Sequence, residues 1–334
     1  MTRRDRTTGL PGAQRGRRAA ARASDARALL SQRVARLGII GTAVAALLVV
    51  AGLIAFFWYD SSIGQPGKTV LQVGEEEFSL SYYAARLPEF ARTDPSGRGL
   101  LVTEALLNRL EEEGLVLFVA AERGIALSDE DVTAAIALEL GVTPDTSRGS
   151  PFDARYRDVL RTSGLSDGHY RQQAKARATE RELRTTLRDE VGTTGAVVHL
   201  RVVTTATLEE AEGIVTRIEE GEDMGTIAQV ESLHGASRQN DGILLAPPPL
   251  LDQALQDALA GAAEGELLGP VESEGVFWVV RLESREAEGT YTDSDIARLT
   301  QVRFEEAIEA ARSRVTIDRD FTTDDANWAI EQAG

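Results

Sequence analysis

The chain has 334 residues, room for two modest domains with extensions, and carries 53 acidic against 36 basic side chains, a net charge of −17. That balance repels the phosphates of a nucleic acid and argues against one as partner. The absence of cysteine excludes disulfides and thiolate chemistry.

Residues 1–36 hold ten arginines and two aspartates. Their composition predicts a disordered arm. A basic arm can bind nucleic acid, but its place directly before an apolar run assigns it to topology. That run is Leu37–Tyr59, "LGIIGTAVAALLVVAGLIAFFWY", 23 residues without a charge. At about 1.5 Å per residue it spans roughly 34 Å, enough for a hydrocarbon core of about 30 Å. A cleaved signal has an apolar stretch of only about 7–15 residues, so the length favours an uncleaved transmembrane helix. Phe56, Phe57, Trp58 and Tyr59 crowd one end, where aromatic rings settle at a membrane interface. After Tyr59 come 26 basic and 51 acidic residues. Basic flanks stay inside, so residues 60–334 are expected outside the cytoplasm, tethered to the cell membrane by one helix.

Residues 60–68, "DSSIGQPGK", read as a polar tether. A short strand, a turn and an amphipathic helix from near Ser79 or Ser81 follow. A longer helix is expected at 99–123, with Leu100, Leu101, Ala105, Leu106, Leu110 and Leu115 at helical spacing. Gly124 closes it, and Ser128 with Asp131 has the spacing of a capping box. Residues 141–153 are rich in breakers and read as a loop, followed by helices at 154–163 and 166–189. From Gly192 the pattern changes: strand 197–204, helices 207–220 and 223–232, an irregular stretch to 241, strand 242–245, a Pro-rich link, helix 251–261, and strands 267–272 and 276–283. Such alternation with a closing antiparallel pair predicts a compact α+β domain. A capped helix at 293–313 and a polar, acidic tail complete the chain.

The stretches "VGEEEFSLSYYAARL", "LLNRLEEEGLVLFVAAERGIALSDEDV" and "GLSDGHYRQQ" resemble the N-terminal chaperone segment of SurA- and PrsA-type foldases. "HLRVVTTATLEEAEGIVTRIEEGEDMGTIA" and "GELLGPVESEGVFWVVRLESRE" resemble the parvulin (PpiC) type of peptidyl-prolyl isomerase. The resemblance implies an anchor (37–59), a helical chaperone segment (60–194), a parvulin-like domain (195–286) with a small antiparallel sheet, and a terminal helix (287–334) returning to the helical segment. It implies unfolded or partly folded exported polypeptides as partners, no cofactor and no metal.

Rotation about an X-Pro bond has a barrier of about 18–20 kcal/mol and makes no bond. An apolar pocket that grips the ring and weakens amide conjugation suffices. In parvulins that pocket overlies two histidines on adjacent strands, a Ser or Thr, and a Cys or Asp. Carried onto this sequence, His199 matches the first histidine and Ser273 the Ser/Thr position. His234 falls near the Cys/Asp position, and Trp278 replaces the second histidine. Leu244, Leu251, Leu255 and Phe277 fall on the apolar positions. Trp can only donate a hydrogen bond where imidazole both donates and accepts, so the resemblance implies weak isomerase activity. His199 then reads either as part of a surviving network or as a polar residue tying one strand to its neighbour. The alternatives are a non-catalytic holdase and a membrane scaffold with one fixed partner. His169, at a helix start, has no expected role, and the absence of "G-x-S-x-G" argues against a Ser–His–Asp hydrolase.

Overall fold

The computed structural model describes residues 49–52, 65–93 and 100–333. Apart from 49–52, which are helical, the expected transmembrane run lies outside the described residues. Among the described residues no helix is long and apolar enough to cross a membrane.

The first part is a helical unit. Strand β1 (Thr69–Val73) turns through Gly74 into β2 (Glu76–Ser79), which leads into helices α1 (Leu80–Thr93) and α2 (Leu100–Glu122). Helix α3 (Asp129–Glu139) begins at the expected capping box, with Ser128 accepting from the Asp131 N–H and Asp131 accepting from the Ser128 N–H. The supposed loop at 141–153 gives up its last residues to α4 (Pro151–Ser163). There the Ser150 side chain accepts from the Asp153 N–H and Pro151 sits in the first turn, where its missing N–H costs nothing. Helix α5 (Asp167–Val191) follows.

The second part is an antiparallel sheet with helices. It comprises β3 (Thr194–Thr205), α6 (Leu208–Glu219), α7 (Met224–Glu231), the short α8 (Gly235–Arg238), β4 (Ile243–Ala246), a 3-10 turn at Pro248–Leu250, α9 (Gln253–Ala260), β5 (Leu267–Ser273) and β6 (Val276–Thr290). The strand order is β4-β3-β6-β5. Long β3 and β6 pair from Thr194↔Thr290 to Thr205↔Phe277, so the chain leaves and re-enters the helical unit along one two-stranded stem.

Helix α10 (Asp293–Arg312) then returns to the first part, and the "tail" is not a tail. It forms β7 (Ile317–Arg319), which pairs with β1, and α11 (Thr323–Ala333), which packs on α1. Its start is marked by a reciprocal bond pair: Asp325 accepts from the Thr322 N–H at 2.8 Å, and Thr322 Oγ1 accepts from the Asp325 N–H at 3.3 Å. Acidity had masked this helix, yet Ala326 and Ala329 are buried and Trp328 packs on the core.

One apolar core joins the two ends of the segment 69–333. Leu71 and Val73 of β1, Tyr83 of α1 and Leu110 of α2 share it with Leu183 of α5, Phe304 and Ile308 of α10, and Ala329 of α11. Within this unit Arg86 and Glu113 form a two-pronged pair at 3.0 and 3.2 Å, with side chains only 7% and 8% exposed. Arg86 also donates to the Tyr82 hydroxyl at 2.6 Å. Burial, reinforced by the Glu113 carboxylate, pushes the Tyr82 phenol well above its ordinary range, so it stays neutral.

A buried pair broken on one side leaves a charge poorly compensated: without Arg86, Glu113 keeps only the longer contact to Arg109 Nε at 3.7 Å. Glu113→Met and Arg86→Met are each expected to cost about 3–5 kcal/mol, while the double variant R86M/E113M costs less than their sum. Urea unfolding followed by tyrosine fluorescence measures this. Single losses no larger than the ~1 kcal/mol of an exposed pair would contradict it.

Candidate functional site

Strand β3 is the centre of the second part. Its run of Val and Thr favours a pleated, half-buried surface, and successive side chains point to opposite faces. Val198, Leu200 and Val202 face one way and meet Val280 and Leu282 of β6, with Leu255 and Leu259 of α9 covering them. Val203 faces the other way with Val279, under Ala211, Ile214 and Ile218 of α6 and Ile227 and Ala228 of α7.

This division sorts the residues singled out from the sequence. Leu244, Leu251, Leu255 and Trp278 come together in the first cluster. Phe277 belongs to the second, on the other face. Trp278 pairs across the sheet with Thr204 on one side and Val271 on the other. His199 does not face it. It pairs with Leu245 and Ser284, stands five residues from Thr204, roughly 16 Å along the strand, and points to the opposite face. There its Nε2 lies 3.0 Å from Glu286 Oε1, a close contact that lacks the alignment of a hydrogen bond.

Ser273 is buried at the end of β5 and donates to Asp252, the residue that begins α9. It therefore holds the start of the helix that carries Leu255.

His234 does meet Trp278: the ring centroids are 5.4 Å apart, tilted by 49°. Its Nδ1 accepts from the Ser237 backbone N–H at 3.3 Å and lies 2.8 Å from Ser237 Oγ, capping α8. An accepting Nδ1 assigns the proton of the neutral ring to Nε2. Beside it, Ser232 Oγ accepts from the Thr204 N–H at 3.1 Å and lies 3.3 Å from Thr204 Oγ1. Thr204, Ser232 and Ser237 are all nearly inaccessible, at 2%, 1% and 1% exposure. The loop is pressed onto β3 where the Val202 N–H donates to Gly242 O at 2.8 Å. Gly242 has φ +77°, and a Cβ there would meet Val202 O at 2.9 Å, so glycine is required.

Sequence reasoning missed Thr204, Ser232 and Ser237. Their signal was the "TT" ending the strand and "ES-x-H-x-x-S" after α7, small hydroxyls unusual in fully buried places. The indole Nε1 of Trp278 is buried without a hydrogen-bond partner. Among the described residues no group of three or more His, Asp or Glu is placed to hold a metal ion.

The site thus joins an apolar face, an indole, one imidazole and a line of buried hydroxyls on a small antiparallel sheet beside a helical unit. That is an α+β architecture whose apolar face is largely buried, with Leu255 3% and Leu251 9% exposed. Residues 31–184 match the family described as the SurA-like N-terminal domain, and residues 202–284 match the PPIC-type PPIASE domain. The chain therefore joins a SurA-like N-terminal domain to a PpiC-type parvulin domain. It is similar in structure to the peptidylprolyl isomerase PrsA of Bacillus anthracis, at 14% identity over 63% of this chain and 96% of that one, TM-score 0.42. It is similar to NmPin, the parvuline of Nitrosopumilus maritimus, at 20% identity over 28% of this chain and 100% of that one, TM-score 0.25. A third similar chain comes from work on PEB4 and Cj1289, two SurA-like chaperones of Campylobacter jejuni, at 14% identity over 74% and 94%, TM-score 0.27. No curated protein matches the chain.

Burial holds the His234 imidazole below its ordinary value. The unfolded chain then binds the proton more readily. His234 contributes its stability fully above the unfolded value of about 6.5 and loses it as pH falls through the lower folded value. A protonated Nδ1 also cannot accept from Ser237. NMR titration is expected to show a His234 midpoint below about 6.5 with the Ser237 amide moving in step. A midpoint at or above that value, or a silent Ser237, would contradict this geometry.

Proposed function

We propose that the protein is a membrane-anchored foldase outside the cytoplasm. Its helical unit holds unfolded or partly folded exported chains, and its parvulin domain turns their X-Pro bonds slowly. The observation that carries the catalytic part is the gathering of Leu244, Leu251, Leu255 and Trp278 on one sheet face, with the His234 ring against the indole. Apolar side chains and a flat ring suit a prolyl ring. The rate is low in this reading because Thr204, not an imidazole, stands across from position 278, and that position is itself Trp. A hydroxyl and an indole cannot share a proton as two imidazoles do.

A cleft of about 460 Å³, rimmed by Arg123, Glu190, Arg303 and Glu306 above the largely buried Leu187 and Leu299, with Pro249 and Tyr291 beside them, offers an extended client a mainly polar groove. A holdase without catalysis would use the same cleft. The anchor rests on the 23 uncharged residues at 37–59 and the basic arm before them.

A protease-coupled assay of the full chain on prolyl peptides tests catalysis. Wild type is expected below the ordinary enzyme range of about 10⁴–10⁸ M⁻¹ s⁻¹ in kcat/KM. Trp278→His, which sets a second imidazole beside His234, is expected to raise it about tenfold, the worth of one net hydrogen bond. A wild-type rate inside that range would overturn the slow-catalyst reading. Two inert proteins that still suppress client aggregation would leave the holdase. For location, protease added to intact cells is expected to digest residues 60–334, and full protection of that segment would refute the anchor's orientation.

A further inference from the structure

His234 is tied down on one side of its ring. Nδ1 accepts from the Ser237 backbone N–H at 3.3 Å and lies 2.8 Å from Ser237 Oγ, at the start of α8. That contact fixes the ring and leaves the proton of the neutral imidazole on Nε2. The two nitrogens sit on different edges of the ring, so Nε2–H points away from α8. Among the described residues it has no hydrogen-bond partner.

The indole of Trp278, its centroid 5.4 Å away, is in the same position: its Nε1–H is enclosed and finds no acceptor. The hydroxyls of this corner are already engaged. Ser232 Oγ accepts from the Thr204 and His234 N–H groups at 3.1 and 3.3 Å, and Ser237 Oγ lies against His234 Nδ1 and His234 O. Two N–H donors thus meet where the protein supplies neither with an acceptor, and a donor left so calls for an explanation. A prolyl segment brings one acceptor to such a place. Proline has no N–H, so the polar atom of an X-Pro unit is the carbonyl oxygen of residue X, which has two lone pairs. An anion suits a chain of net charge −17 less well.

Resting on the reading that the domain takes prolyl segments, we infer that His234 divides its ring between two tasks: Nδ1 caps α8, and Nε2–H donates to the carbonyl oxygen of the residue before proline. The proline ring then lies toward the flat, apolar indole. Because Nδ1 is anchored, the donor is in place before the client arrives, and little side-chain freedom is lost in forming the bond. The bond holds the carbonyl in the planar and the twisted amide alike, so it acts on binding and not on the barrier.

Two substitutions separate the tasks. His234→Asn keeps an oxygen at the δ position, able to cap α8, and has nothing at the ε position. His234→Gln carries an amide N–H to the ε position and gives up the δ acceptor. The full chain, kept in mild detergent, is titrated by fluorescence anisotropy with a prolyl peptide and with its alkene isostere, in which a C=C bond replaces the X-Pro amide and no carbonyl is left. Wild type is expected to prefer the amide by about two- to tenfold, the worth of one net hydrogen bond. H234N loses that preference while the Ser237 amide keeps its protection from hydrogen exchange. H234Q keeps the preference while the Ser237 amide loses protection. On wild type, with no variant needed, the His234 Nε2 resonance moves on adding the amide peptide and not on adding the isostere. A preference that survives in H234N, or a His234 resonance indifferent to the amide peptide, overturns the inference. Loss of the preference in both variants assigns it to the cap and overturns the inference as well. A wild-type preference without turnover in the coupled assay keeps the donor and removes the catalysis. A wild type that binds neither compound overturns the reading on which the inference rests, and the inference with it.

Discussion

The helical unit cannot close its own apolar core. Strand β1 and helices α1, α2 and α5 bury Leu71, Leu110 and Leu183 only because Phe304, Ile308 and Ala329 return from the far end of the chain to cover them. A helix with an uncovered apolar face is unstable in water, so the chain must come back to where it left. It does so along adjacent β3 and β6, with the Tyr291 N–H donating to Thr193 O at 2.9 Å where the stem meets the helices. Everything between is an excursion on that stem. Arg319 adds a second tie, reaching Glu111 and Glu104 of α2 across more than two hundred residues of sequence.

This return also fixes the site. Once β3 and β6 are locked from Thr194↔Thr290 onward, register is carried along the ladder and delivers Thr204 to Trp278. An irregularity between His199 and Leu200 accommodates an extra β6 residue, Glu283, which turns to Arg201 at 3.1 Å. One residue of register inverts which face a side chain occupies. His199, near the stem, therefore spends its imidazole beside Glu286, while the imidazole near the pocket arrives from a loop.

Much of this was legible in the chain. The Ser128–Asp131 box, the glycine closing α2 and the alternation after Gly192 each rest on local chemistry, and local chemistry is written in local sequence. The C-terminal strand and helix were not, because β7 needs β1 as its partner and α11 needs α1, both some 250 residues upstream. Within the site, Leu244, Leu251, Leu255 and Trp278 were named from the resemblance to parvulins, and they share one apolar cluster. His199 and Phe277 fall on the other face because pattern alone does not say which strand positions stand opposite each other. Thr204, Ser232 and Ser237 escaped notice because a hydroxyl in sequence looks solvated until its burial is known.

On the proposed reading, the indole at position 278 sets what kind of catalyst the domain would be. It fills the space and lays a flat apolar surface on the pocket, but its buried N–H finds no acceptor, a cost tolerated only if the ring contributes more through packing than the bond it forgoes. His234, kept neutral by burial and with Nδ1 committed to Ser237, is a fixed dipole and not a proton carrier. Neither group alters charge as the amide turns. What remains to favour a twisted X-Pro bond is shape: four apolar side chains on one face and a rigid loop of buried hydroxyls behind them. On the proposed reading, such a face would discriminate poorly between the planar and the twisted amide. On that reading, its power over a client would lie in how firmly the chain is held.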